Sequence, residues 1–171
     1  MAMFLRSAIK LPLLLLLLLC ALPRSAAALD PSRSLTQYLH RIWQIQNGLP
    51  RTTITALCQT HDGYLWLGTQ TGLVRFDGIK FTELPELGGV SLVNAPITQI
   101  VEDHQHTLWI ATSSAGLIKY KSGVATSFNA AQEIYANKVQ ALFVDQHNAQ
   151  WVGTDRGVVR IVENKIVPFS D

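Results

Sequence analysis

The chain has 171 residues, 48% of them hydrophobic and only 15% charged, with 14 Lys and Arg against 12 Asp and Glu. That length allows one ordinary domain, and the scattered, nearly even charge offers no cluster able to grip a phosphate backbone, which excludes nucleic acid as a partner. Cysteine usage excludes a disulfide framework, because there are only Cys20 and Cys58 and the first lies in a segment expected to be removed.

That segment is 1–28. Arg6 and Lys10 open it, Leu11 to Leu22 is a 12-residue apolar run, and Ala26-Ala27-Ala28 supplies the small residues of a cleavage site. The run is too short for a permanent span, which takes about 20 residues, so the pattern predicts a signal peptide, export, and a mature chain starting at Leu29. Of the 14 basic residues, Arg6, Lys10 and Arg24 leave with it and no acid does, so 11 remain against 12 acids. Cys58 is then unpaired and, set in an apolar strand pattern, is expected to be a buried inert thiol.

Residues 29–53 read as an N-terminal segment with a lone strand. Tyr38 to Gln46 alternates towards its end, and Asn47-Gly48-Leu49-Pro50 breaks it. A helix over Leu35 to Trp43 also fits, since Leu35, Leu39 and Ile42 have helical spacing.

From Ile54 one unit recurs three times, over 54–83, 97–128 and 139–169, marked by Trp66, Trp109 and Trp151 at spacings of 43 and 42 residues. The period suits a propeller blade or a helical solenoid. The short runs of Ile, Val, Thr, Trp, Tyr and Phe between turn residues favour strands. In the first repeat the strands read as Ile54 to Thr60, Tyr64 to Thr69, Leu73 to Phe76 and Lys80 to Glu83, with Asp77-Gly78 as a tight hairpin. The fold class is therefore all-β: a partial β-propeller of three four-stranded antiparallel blades behind a signal peptide. Gly72, Gly116 and Gly157 are expected to close one recurring turn. Gly63, His106 and Asn148 share another that suits positive φ. Gly68, Ala111 and Gly153 stay small where something approaches closely. The linkers 83–96 and 129–138 read as a surface loop and as a stretch able to hold a helical turn.

The run W-x-x-x-x-GLP followed by DGYLWLGTxxGLxRFDGxxF, carried by Trp43, Gly48-Leu49-Pro50, Asp62 to Thr69, Gly72-Leu73 and Arg75 to Gly78, resembles the sensor region of periplasmic two-component regulator propellers. The resemblance implies an extracytoplasmic, ligand-sensing input module, with the periplasm as its location and an inner-membrane tether in the full-length protein. It also implies missing downstream blades and a missing output module, a histidine kinase or a diguanylate cyclase. Three blades do not close a ring, which typically takes about four to eight. The open faces should therefore self-associate or await further blades, with the strand near Trp43 as the outer strand of a final blade.

Catalytic chemistry is absent from the motifs, with no G-x-S-x-G, Walker-type loop, C-x-x-C or H-E-x-x-H, and no catalytic residue, metal or cofactor is expected. His104 and His106 stand two apart, but in a turn with no further ligands nearby. The three Trp are expected to fill the space between blades. Arg75, Lys119 and Arg160 recur and read as structural, paired with acids of a neighbouring blade. Recognition is assigned instead to residues that do not repeat: Arg51, Gln70, Asn94, Asn137, Lys138, Asp155 and Arg156, on the face shared by the second turn of each repeat and the blade connections. Their ligand is an unidentified small molecule or carbohydrate. Two other readings compete, a propeller lyase or other secreted propeller enzyme, and a protein-docking scaffold.

Overall fold

The computed structural model of the chain describes residues 42–50, 53–128 and 138–167. The expected signal peptide, the first part of the expected lone strand, and the linker 129–137 lie outside them. Among the described residues no helix is long and apolar enough to cross a membrane.

Three four-stranded antiparallel sheets follow one another. Blade 1 is β1 (Ile54–Gln59), β2 (Leu65–Thr69), β3 (Leu73–Phe76) and β4 (Phe81–Leu84). A small hairpin of β5 (Glu86–Leu87) and β6 (Val90–Ser91) leads to blade 2, which is β7 (Ile97–Glu102), β8 (Leu108–Thr112), β9 (Leu117–Lys121) and β10 (Val124–Phe128). Blade 3 is β11 (Val139–Val144), β12 (Gln150–Thr154), β13 (Gly157–Val162) and β14 (Lys165–Val167). Strands pair in chain order within each blade, and the first strands β1, β7 and β11 lie side by side.

Each first strand carries a bulge at the same place, next to Ile54, Ile97 and Val139. A bulge bends the strand and re-aims a side chain. Here the residue it frees, Thr55 or Thr98, donates its hydroxyl to the first carbonyl of the next blade: Thr55 Oγ1 to Ile97 O at 2.6 Å, Thr98 Oγ1 to Val139 O at 2.8 Å. The repeat thus encodes a blade-to-blade clasp.

The seams are apolar. Trp66 and Leu73 of blade 1 pack against Ile97, Ile100, Ile110 and Ile118 of blade 2, while Trp109, Ala111 and Leu117 pack against Val139, Leu142, Val152 and Ile161 of blade 3. The small position after each Trp is where the neighbour arrives: a Cβ on Gly68 would lie 2.7 Å from Ile97 Cγ2. Blade 2 has Ala111 there, fully buried, and blade 3 answers with Val139 where blade 2 has Ile97. One methyl moves from one side of the seam to the other.

Each Trp is fixed by its own turn. Asp145 Oδ2 accepts from Trp151 Nε1 at 2.9 Å while its Oδ1 accepts the backbone N–H groups of His147 and Ala149. Asp103 does the same for Trp109, Gln105 and Thr107. In blade 1 Thr60 replaces the acid and relays, accepting from Trp66 Nε1 at 3.0 Å and donating to Asp62 Oδ1. The Trp151 and backbone donors hold the Asp145 carboxyl below the usual carboxylate range, and the Thr60 hydroxyl does so for Asp62.

Three expectations need correction. Ile42 to Gln44 has no regular structure and Ile45–Asn47 is a 3-10 turn, so the described part of the presumed lone strand is not a strand. Gly48 follows in a left-handed conformation, φ +91, which turns the chain back. Trp43 then meets Phe76 and Phe81 edge-on, at 5.1 and 5.6 Å between ring centroids, and Leu49 buries against Leu67 and Val74. The segment covers the outward face of blade 1.

Second, the connection 83–96 is more than a surface loop, because Leu87, Leu92 and Ala95 are buried in the seam of blades 1 and 2. Third, among the described residues Arg75, Lys119 and Arg160 pair with no acid of a neighbouring blade, and Lys119 donates instead to the Asn164 amide oxygen of blade 3. Each stands opposite the Trp of its own blade in the ladder, and its cationic group lies over that ring, Arg75 at 5.9 Å, Lys119 at 6.0 Å and Arg160 at 5.2 Å. Arg75 is closer still to Tyr64, 4.4 Å. The ring face offers the cation an attraction that survives without a partner charge.

Candidate functional sites

Strand register separates two ends of the blades. Ile54 pairs with Thr69, Ile97 with Thr112 and Val139 with Thr154, while Leu84, the last residue of β4, pairs with Leu73. The second turn of each blade, the start of its first strand and the blade connection therefore meet at one end. The first turns, carrying His61, His104 and His147, lie at the other.

At the connection end the second turns are built alike. Thr69 Oγ1 donates to Gly72 O at 2.8 Å and accepts from the N–H groups of Thr71 and Gly72. Thr112 and Thr154 repeat the contact to Gly116 O and Gly157 O. The closing glycines all have positive φ, +150, +81 and +129. At Gly72 a side chain would also meet Leu92 O at 3.0 Å. Beside this turn a cleft of about 260 Å³ opens between Thr71, Leu73, Glu83, Leu92 and Asn94.

Of the residues assigned to recognition, Asn94 lines this cleft and Gln70 stands in the adjoining turn. Asn94, at φ +55, donates its backbone N–H to Thr71 O at 3.2 Å, and both side chains are exposed. Lys138 directly precedes Val139, which pairs with Thr154, so it stands by the turn that carries Asp155 and Arg156, all three exposed. The Arg156 N–H is tied to Thr154 Oγ1, which fixes that turn's backbone. Arg51 and Asn137 lie outside the described residues.

At the opposite end, the seam of blades 1 and 2 brings together His61, Glu102 and His106, a grouping that sequence spacing gave no hint of because it joins positions 41 and 45 residues apart in different blades. The sequence reading paired His106 with His104 instead; the His104 N–H is engaged with Asn148 Oδ1 of blade 3. Glu102 Oε2 accepts the His61 N–H at 2.9 Å, and its Oε1 lies 2.6 Å from His61 Nδ1 and 3.7 Å from His106 Nδ1. The two imidazoles are stacked, 3.7 Å between centroids. They edge a cleft of about 450 Å³ that also includes Thr60, Asp62, Tyr120 and Lys121.

His106 sits at φ +60, equivalent to Gly63 at +89 and Asn148 at +63, so a turn requirement is met by three different residues. Cys58 is half-buried with its thiol pushed up by burial, the state of an unreactive cysteine.

Residues 48–71 and 91–114 match the two-component regulator propeller family. A histidine kinase of Formosa agariphila is 26% identical over 91 residues, which is 47% of this chain and 6% of that one. Among solved structures, the extracellular domain of a B. thetaiotaomicron protein described as a hybrid two-component system superposes with a TM-score of 0.63 at 22% identity, covering 76% of this chain and 20% of that one. The extracellular domain of a second such protein from the same organism gives 0.57 at 27% identity, over 72% of this chain and 17% of that one. The chain thus spans a small part of the length of the relatives it resembles.

Proposed function

We propose that the chain, two stretches of which match the two-component regulator propeller family, is part of an extracytoplasmic input module that binds a solute and passes the event to an output module. The observation that supports this most is the asymmetry between scaffold and connection end. Trp, Thr and Gly positions recur from blade to blade, whereas Gln70, Asn94, Lys138, Asp155 and Arg156 differ and crowd the end where the connections run. Their chemistry, two amides and mixed charges exposed along that end with Asn94 on the rim of the cleft, suits a polar, hydrogen-bonding solute of the carbohydrate or small-molecule class. Binding would act by preferring one arrangement of the blades.

We further propose that the outward face of blade 3 receives another blade. Val158 and Phe143 are 63% and 62% exposed there, at positions whose counterparts in blades 1 and 2 lie in seams. The virginiamycin B lyase of Staphylococcus aureus has a similar fold, with a TM-score of 0.53 at 17% identity, which is a likeness of fold alone, and the input-module reading is preferred for its match to the two-component regulator propeller family. Export with removal of 1–28 completes the proposal.

A thermal-shift screen of the exported chain against mono- and oligosaccharides tests the recognition reading. The expected result is a rise in melting temperature with at least one sugar that Asp155→Ala, Arg156→Ala and Lys138→Ala remove while the unliganded melting temperature stays unchanged. A shift untouched by all three would overturn the site.

A further inference from the structure

We propose that His61, Glu102 and His106 form a divalent transition-metal site that ties blade 1 to blade 2 at the end opposite the connections. Both imidazoles turn Nδ1 towards one carboxylate oxygen, at 2.6 and 3.7 Å, and all three ligand atoms lie within 4.8 Å of one another. A proton can serve only one of those approaches. The 2.6 Å contact is a hydrogen bond, whereas 3.7 Å is beyond one, so His61 is held by the carboxylate while the turn and the stack on His61 place the His106 ring beside it.

A metal ion would take both imidazoles as ligands. A tetrahedral ion with ligands at about 2.0 to 2.2 Å holds its donors about 3.3 Å apart, between the two distances observed. Closure therefore needs the two rings to rotate out of their 3.7 Å, 27° stack so that both Nδ1 lone pairs converge on the ion, in residues half-exposed and free to make that move, at 51% and 57% for the two His. Glu102 is the fixed point, only 15% exposed, with Oε2 held by the His61 N–H. That contact orients the carboxylate as second-shell donors do in metal sites. Two imidazoles and one carboxylate favour zinc, copper, nickel or iron over calcium or magnesium. Three protein ligands leave a fourth position open towards the cleft, for water or a donor atom of a ligand.

The three residues come from two blades: His61 from the β1–β2 turn, Glu102 and His106 from the end of β7 and the turn after it. Ion binding therefore stabilises the seam itself, and the metal competes with protons for the two imidazoles.

The test uses the full chain, freed of metal with a chelator and titrated with Zn²⁺ alone by calorimetry. One ion per chain and a Zn²⁺-dependent rise in melting temperature are expected. His61→Gln, Glu102→Gln and His106→Asn, the last chosen because Asn tolerates positive φ, should each weaken binding by about tenfold or more, whereas His147→Gln, at an exposed His of blade 3, should not. The absence of one-to-one binding, or equal weakening by His147→Gln, would overturn the site. If a variant fails to fold, X-ray absorption at the zinc edge of the unsubstituted chain decides. Two imidazole nitrogens with oxygen in the first shell support the assignment, and any other ligand set refutes it.

Discussion

Leu73 and Leu117 are 2% and 0% exposed, and Val158, the residue at the same place in the third repeat, is 63% exposed. Trp66 and Trp109 are buried at 4% and 1% while Trp151 keeps part of its surface. Nothing within the repeats explains this. All three Trp donate to a residue of their own first turn and carry a cation over the ring. The difference lies in the neighbour: blades 1 and 2 present their Trp faces to a following blade, and among the described residues no blade follows on that face of blade 3, where Val158 and Phe143 are exposed. A repeat thus specifies half of a seam, and burial of a Leu-sized side chain, about 1.5–3 kcal/mol, is realised only when the other half arrives. The other terminal face shows a second solution, since Trp43 and Leu49 from outside the repeats cover blade 1 while leaving Leu57 60% exposed.

The largest expected effect separates equivalent tryptophans. Trp109→Ala should cost about 3–5 kcal/mol in urea unfolding, and Trp66→Ala a similar amount, while Trp151→Ala should cost less than half as much. Equal losses at all three would mean that stability resides within each blade rather than in the seams.

Next comes the small position after the Trp. Gly68→Ala should cost about 1–3 kcal/mol by overpacking, because the new methyl would meet Ile97 Cγ2 and Cβ of the next blade, atoms that a valine keeps, so adding Ile97→Val should recover little of the loss. Gly153→Ala meets only Ala141 of its own blade and should cost clearly less. An equal cost at Gly68 and Gly153 would break the link between the small position and the arrival of the neighbouring blade.

The smallest effect concerns pH. The Trp151 N–H, then backbone N–H groups, hold the folded pKa of Asp145 below its unfolded value. The contribution is therefore present above the unfolded value, about 3.9, and lost as pH falls through the folded one. Urea midpoints of the unsubstituted chain and Asp145→Asn should differ at pH 6 and converge as pH falls towards 2. A constant difference would remove ionisation from the account of how Trp151 is held.

These contrasts also mark what the sequence made legible. Trp spacing, strand composition and the turn residues were enough to expect three four-stranded blades, with strand ends off by about one residue, and the left-handed glycines at the second turn follow from the same pattern. The N-terminal segment misled because Trp43 and Ile45 alternate like a strand, while Gly48 and the aromatic pair Phe76 and Phe81 draw it into a turn that covers a face. The cations on the third strands were read as seeking acids because charge is visible in a sequence and a ring directly across a ladder is not. His61, Glu102 and His106 could not be found by spacing, since they meet only when two blades pack. Thr60 and Asp62, sharing between them the work of a single Asp in the other repeats, left a fainter signal that alignment of the three turns would have exposed.

Cysteine labelling tests most directly that the third Trp face is a seam without its other half. In a Cys58→Ser background, Leu117→Cys and Val158→Cys stand at equivalent repeat positions, and maleimide labelling rates under native conditions compare them. The account predicts rapid labelling at 158 and strong protection at 117. Equal protection at both would show that the outward face of blade 3 is already covered within the chain, and would contradict it.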